Sequence, residues 1–413
     1  MRRSIAHVTG AAAVLVAVVA ASLALAPASL RPVGLSPSGA SHLPETSAAM
    51  LETPGPSAPA AATAPPDGFL PVPHGLDGVG TARPVDLLPV SATEAASLQT
   101  AVDRARTAFG LGAVAVGVSA DGQLGWSGAS GPARDGHTPL SGTTPFAIAS
   151  VTKTFTAAVV LQLVEEGRIR LDAQVTDYLP GLAIAQGVTV EQLLSHTSGI
   201  ADLLTPMRDR LNAEPSRIWQ PEEVVALIGP SRFAPGSDWG YSNTNYVIAG
   251  MLVEVVTGNP FADELARRVT GPLKLQGTGF SPAAGFPNLL GRSWASAFWT
   301  SAALDSNAAD LVRWGDALYG DAILRPSTLQ RMLDFNADGY GLGAERYVVG
   351  GQLGYGHSGL LRGYTTLLVH LPEAHLTLAV LATGHIFDPT GLLTYQAAGA
   401  PSILSLARAL SPS

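Results

Sequence analysis

Ser150 and Lys153 open a largely apolar stretch that continues to Leu163, and their types and spacing suit nucleophilic catalysis. On an α-helix, residues i and i+3 share a face about 4.5 Å apart along the axis, which brings an amine within reach of a hydroxyl. A serine hydroxyl attacks poorly until a base removes its proton, and a neutral lysine amine is such a base. The distribution of cations sharpens the point, because of 24 lysine and arginine residues only Lys153 and Lys274 are lysine. Arginine stays protonated in proteins, whereas a desolvated lysine loses its proton. Lowering a lysine pKa from about 10.4 to about 7 costs roughly 4.6 kcal/mol, so the surroundings must be apolar or cationic. The run after Lys153 supplies apolar ones. The competing reading makes Ser150 a helix cap and Lys153 a solvated first-turn charge.

Two further patterns follow along the chain. Tyr241-Ser242-Asn243 stands just before a predicted helix. A phenol beside a cationic lysine relays a proton more readily, and an asparagine amide offers a substrate amide both a donor and an acceptor. Gly356-His357-Ser358-Gly359 falls on a predicted strand. There Gly359 permits close backbone approach, and His357 and Ser358 would aim donors at a carboxylate or carbonyl. Each pattern alone also fits ordinary cap, turn or strand chemistry.

Taken together and in order, Ser150-x-x-Lys153, Tyr241-x-Asn243 and His357-Ser358-Gly359 resemble the motif set of the serine β-lactamase and penicillin-binding superfamily. The tyrosine of the second motif, with Leu193-Leu194-Ser195-His196-Thr197-Ser198-Gly199, is similar to the class C branch. That branch holds class C β-lactamases, D-alanyl-D-alanine carboxypeptidases and related esterases. The resemblance implies that Ser150 is the acylated nucleophile and Lys153 its base or proton relay. It implies that Tyr241 protonates the leaving group and later activates water, and that Asn243 holds the substrate amide. His357 and Ser358 would face a substrate carboxylate, and the backbone N–H groups of Ser150 and Leu360 would form the oxyanion hole. Class C β-lactamases carry lysine where this chain has His357, so carboxylate capture should be weaker and efficient β-lactamase activity is disfavoured.

Other chemistries fare badly. Ile148 and Thr152 flank Ser150 where a Gly-x-Ser-x-Gly elbow would need glycines, and no His-x-His or His-Glu-x-x-His pattern exists. No Rossmann or P-loop glycine pattern is present, so neither a cofactor nor a metal is expected. His196 reads as structural. Arg346 and Arg362 could assist carboxylate binding, although solvated strand-end charges are the simpler reading. A net charge of −8 gives no footprint for nucleic acid, and the absence of cysteine removes thiol chemistry and thiolate metal sites.

These residues need a scaffold, and the hydrophobic content of 46% suits a compact globule. Ser91 to Glu94 is a capping box that opens an amphipathic helix over 92–109. Strands follow over 112–119 and up to Trp126, joined by the hairpin signal Asp121-Gly122. The Ser150 helix should end near Glu166. From about 170 to 335 the pattern is mostly helical, with helices at 189–195, 221–228, 246–256, 308–319 and 326–333. Strands return at 347–349, 354–358, 363–371 and 375–383, and 389–410 reads as one closing helix. Strands at both ends must meet in one antiparallel sheet flanked by helices, with the mostly helical block inserted as a subdomain and the site between the two. This α+β class agrees with the β-lactamase/transpeptidase-like fold that the resemblance implies.

At the N-terminus, Arg2 and Arg3 precede an apolar run ending in Ala24-Leu25-Ala26, the layout of a secretory signal over 1–26; an uncleaved anchor is the alternative. Residues 27–90 have the Pro/Ala-rich composition of a disordered linker, which could hold the 91–413 domain near a cell wall or membrane. The expected protein is a secreted serine hydrolase acting on a peptide ending in D-alanine, hence a substrate with a carboxylate. An esterase or β-lactamase, or a non-catalytic penicillin-binding sensor, are the alternatives.

Overall fold

In a computed structural model the described residues are 87–132, 138–280, 289–397 and 399–411. The expected signal at 1–26 and all but the end of the expected linker lie outside them. That end is paired: Leu88–Pro89 (β1) runs parallel to Leu124–Ser130 (β3), so the described fold includes residues ahead of the Ser91 cap.

The cap itself forms as the sequence predicts. Ser91 Oγ accepts from the Glu94 N–H at 3.3 Å, and Glu94 Oε2 accepts from the Ser91 N–H at 2.8 Å, opening α1 (Ala92–Ala108). Ala113–Ala120 (β2) and β3 form the predicted hairpin, with both Asp121 and Gly122 at positive φ as a tight primed turn requires. Glu345–Val349 (β7), Gln352–Leu361 (β8), Tyr364–Leu371 (β9) and Leu376–Thr383 (β10) complete one seven-stranded sheet of order β1-β3-β2-β10-β9-β8-β7. The N- and C-terminal strands meet through the β2–β10 antiparallel pair, which matches Ala113 with Thr383 and Ala120 with Leu376. The sheet is mixed rather than wholly antiparallel because β1 runs parallel to its neighbour.

Period-two alternation divides the residues of the sheet between two cores. Val114, Val116 and Val118 of β2 face α1 and the C-terminal helices, together with Leu367, Leu378 and Val380. Ala113 and Ala115 face the other way, toward the nucleophile helix α2 (Thr152–Glu165) and the larger helical core. That block contributes α3 (Asn243–Thr257), α4 (Arg292–Ala302) and α5 (Ala308–Tyr319). A second, three-stranded sheet of Phe146–Ala147 (β4), Leu304–Ser306 (β6) and Gly279–Phe280 (β5) was not predicted. Strands of two or three residues carry no readable period. The closing segment is two helices, Pro389–Thr394 and Ile403–Arg408, not one, since Pro401 cannot donate to a helix running through it.

Candidate active site

Ser150 sits in a 3₁₀ turn, Ala149–Val151, that leads directly into α2. It makes no capping hydrogen bond, which removes the simple helix-cap reading. Ala149 beside it is held at φ 47°, a conformation costly for a residue with a Cβ. Every residue of α2 from Thr152 to Leu163 is buried, and Phe155 stacks on Trp314 with ring centroids 4.2 Å apart. Such a helix, apolar on nearly all sides, gives Lys153 no route to water.

The Lys153 amine has three polar neighbours. Nζ lies 2.8 Å from Asn243 Oδ1, 2.8 Å from the Ser301 carbonyl oxygen and 3.2 Å from Ser150 Oγ. The two carbonyl oxygens can only accept. A neutral amine has two N–H bonds and one lone pair, so when both protons are given to them the lone pair is left for the Ser150 hydroxyl. Burial lowers the Lys153 pKa to about 7, against the pull of the nearby Asp202 and Glu345 carboxylates. At neutral pH a substantial fraction of the amine is therefore unprotonated.

Tyr241 closes the other side of the serine. Its hydroxyl hydrogen-bonds to the Ser150 side chain, and Lys153 Nζ lies 4.7 Å from its ring centroid. Burial pushes the phenol well above its ordinary value, so it rests as a proton donor. His196 packs against it at 4.3 Å between ring centroids. The imidazole is fully buried, its pKa held well below the usual value by burial, and its Nδ1 accepts from the Ser242 N–H at 3.2 Å. His196 thus braces the Tyr241–Asn243 loop, the structural part read from the sequence.

Asn243, His357 and Ser358 already hold partners within the protein. Asn243 already holds two partners: Oδ1 accepts from Lys153, and Nδ2 donates one N–H to Asp202 Oδ2 at 2.9 Å, which leaves its second amide N–H for a substrate. Asp202 Oδ2 also accepts from the Asn243 N–H at 2.6 Å. Asn243 thereby positions the lysine, and Asp202 positions Asn243. His357 does not face a substrate carboxylate. Its ring is 1% exposed, with Nδ1 2.5 Å from the Ser358 carbonyl oxygen and Nε2 2.9 Å from the Tyr340 hydroxyl. A proton on Nδ1 and a lone pair on Nε2 satisfy both contacts with a neutral ring, and burial lowers its pKa from the ordinary value.

Ser358 is likewise engaged. Its N–H and its hydroxyl both donate to Glu345 Oε2, each at 3.0 Å. Gly359 does what its lack of a side chain suggested: a Cβ there would lie 2.3 Å from the Ile148 carbonyl oxygen and 3.2 Å from the Ser150 nitrogen. Strand β8 can therefore press against the nucleophile turn, with Leu360 next along it. Arg346 lies over Phe335 and Arg362 over Trp294, both exposed.

Asp202, Glu345 and the Ser301 carbonyl were missed. Asp202 carried one faint signal, an acidic residue just after the His196–Gly199 turn that also accepts from the Leu204 N–H ahead of a helix. The carbonyl of Ser301 had none, since it depends on the break in α4 at Trp299, where φ is 34°.

With this geometry in view, the resemblances to known proteins acquire meaning. The sequence profile described as Beta-lactamase matches residues 98–399. Penicillin-binding protein 4 of Amycolatopsis lactamdurans is 32% identical over 329 residues, covering 70% of this chain and 85% of that protein. Esterase EstB of Burkholderia gladioli is 37% identical over 210 residues, 47% of this chain and 53% of the esterase. Among solved structures, a D-stereospecific amidohydrolase from Streptomyces sp. superposes with TM-score 0.60 at 29% identity, over 70% of this chain and 94% of that one. A D-amino acid amidase from Ochrobactrum anthropi gives TM-score 0.64 at 25% identity, over 77% and 98%.

Proposed function

This chain belongs to the beta-lactamase family, with its β-lactamase/transpeptidase fold, and from that premise we propose that it is a serine hydrolase working through an acyl-enzyme on Ser150. The carrying observation is the Lys153 amine, stripped of water and left with its lone pair toward Ser150 Oγ at 3.2 Å.

In the proposed sequence the neutral Lys153 takes the Ser150 proton as Oγ attacks an ester or amide carbonyl. The carbonyl oxygen becomes an oxyanion, for which the Ser150 and Leu360 backbone N–H groups are the proposed donors. The protonated Tyr241 then gives its proton to the departing oxygen or nitrogen, and Lys153 returns one to the phenol. Water attacks the acyl-enzyme with the same groups acting in reverse. Asn243 and Asp202 keep the amine aimed throughout.

Three finer activities share this machinery. The penicillin-binding relative speaks for a D-alanine-ended peptide, as expected from the sequence, whereas the esterase and the two D-specific amidases speak for esters and amides. The Ser358 donors given to Glu345 favour the second group, because a carboxypeptidase needs such donors free for its substrate carboxylate. We further propose that the chain is exported, on the signal-like layout of residues 1–26; N-terminal sequencing of the extracellular protein would show a start near residue 27, and a start at Met1 would count against cleavage.

The test of the central proposal is p-nitrophenyl acetate hydrolysis with intact-mass detection, repeated with benzylpenicillin. The wild type should show ester turnover or a covalent adduct, and Ser150→Ala should lose both, with turnover down by about 10⁴-fold or more. Equal activity in the variant would end the acyl-enzyme reading.

A further inference from the structure

The third motif was expected to receive a negative charge, yet it already holds one. Glu345 begins β7, opposite Gly356 in the β7–β8 register, so β8 runs on past it as a free edge toward Ser150. Its carboxylate turns onto that edge. Oε2 accepts from the Ser358 N–H, the Ser358 hydroxyl and the Tyr347 hydroxyl. The other oxygen, Oε1, has the neutral His357 ring as its neighbour, Nδ1 lying 3.8 Å away and beyond hydrogen-bond reach, and the side chain remains 24% exposed. A carboxylate with one saturated oxygen and one open oxygen is both anchored and available.

Among the described residues no lysine or arginine pairs with it. His357 is buried and uncharged, and Arg346 and Arg362 are drawn off over Phe335 and Trp294. The second acidic group near the serine, Asp202, adds charge of the same sign behind Asn243. Both carboxylates act on the Lys153 amine, which carries no charge in its resting neutral form.

We infer that Glu345 sets the charge preference of the site, making the β8 wall a counter-charge for an amine-bearing substrate and a barrier to a carboxylate. This deepens the acyl-enzyme reading and rests on it. A substrate ammonium would meet Oε1 directly, whereas a carboxylate would find the Ser358 donors taken and a like charge behind them. The substrate class that follows is an ester or amide carrying a protonated amine, such as an amino-acid amide or ester, rather than a peptide with a free C-terminal carboxylate.

The test avoids assuming which side of the scissile bond meets the wall. Arylboronic acids add to a serine Oγ, the oxygen sharing its electron pair with boron while its proton passes to the base. The resulting tetrahedral boron leaves the aryl group free to choose its direction. Dissociation constants of 3-(aminomethyl)-, 3-methyl- and 3-carboxyphenylboronic acid would be measured by calorimetry on the purified full chain. The ammonium compound should bind about 10- to 100-fold tighter than the carboxylate, with the neutral compound between them. In Glu345→Gln the spread should shrink to about threefold; a merely structural loss would weaken all three alike and keep the order. Should that variant not fold, the wild-type spread itself should narrow from 0.05 to 0.5 M salt, as charge screening requires (a Debye length of about 14 falling to about 4 Å).

Equal binding of the three compounds to the wild type, or tighter binding of the carboxylate, would overturn the inference while leaving the acyl-enzyme reading in place. Binding that persists unchanged in Ser150→Ala would overturn that reading, and this inference with it.

Discussion

The two walls that flank Ser150 are built on opposite principles. On the helix side, burial works against charge: α2 takes Lys153 into an apolar core, lowers its pKa to about 7 and directs its amine at the serine. On the strand side, polar groups are satisfied among themselves. His357 serves Ser358 and Tyr340, and Ser358 serves Glu345. The first wall keeps a reactive amine under-satisfied, and the second keeps its donors quiet while one oxygen of Glu345 stays open. A residue type that signals chemistry in a sequence therefore does chemistry only where the fold leaves part of its bonding capacity unused.

That contrast can be broken at several points. The largest effect is expected at Lys153→Met, which keeps the volume and removes the base. Turnover of an activated ester should fall by about 10³- to 10⁴-fold with the circular dichroism spectrum unchanged. A loss below tenfold would show that Ser150 finds its base elsewhere.

The second effect is thermodynamic. Lys153 is held at about 7 in the folded chain, below its unfolded value, so between those values the unfolded state binds more protons. Stability from this residue must then rise with pH from about 7 toward about 10.5. Relative to Lys153→Met, the wild type should gain about 2 kcal/mol between pH 7 and pH 9 in urea unfolding. A flat difference would mean that the lysine is not held neutral. The same titration should give kcat/KM an acid limb near pH 7, rising with pH as the amine becomes free to act.

The smallest effect belongs to the strand wall. His357→Gln should change kcat/KM by less than about tenfold and leave that limb where it is, because the imidazole is buried, both its nitrogens are engaged and burial lowers its pKa. Displacement of the limb in the variant would return His357 to the proton chemistry and erase the distinction between the walls.

The helix wall was legible in the sequence and the strand wall was not, for a physical reason. Ser150 and Lys153 meet through helix geometry, which acts over three residues and is written in their spacing. The two-ended sheet and the Ser91 capping box were legible for the same reason, since strand alternation and cap chemistry are local. Strand β8 was expected to stop at Ser358 but reaches Leu361, because pairing with β9 overrides the weak strand preference of Gly356 and Gly359. Asp202 acts on a residue 41 positions away and Glu345 on one 13 positions away. Which donors such a carboxylate takes depends on register and rotamer, and neither leaves a periodic trace. The motif marked Tyr241 and Asn243, but it gave no sign that Asn243 would also be held between Lys153 and Asp202.

One consequence reaches back to the birth of the chain. The acceptors that fix the Lys153 amine come from positions 90 and 148 residues further along, so they emerge from the ribosome long after the serine itself. Contacts of such separation close late in folding. Until they do, Lys153 is an ordinary hydrated ammonium and Ser150 an ordinary alcohol. On the proposed mechanism the growing polypeptide is thus chemically silent through its synthesis, and the reactivity of its serine would report that folding is complete.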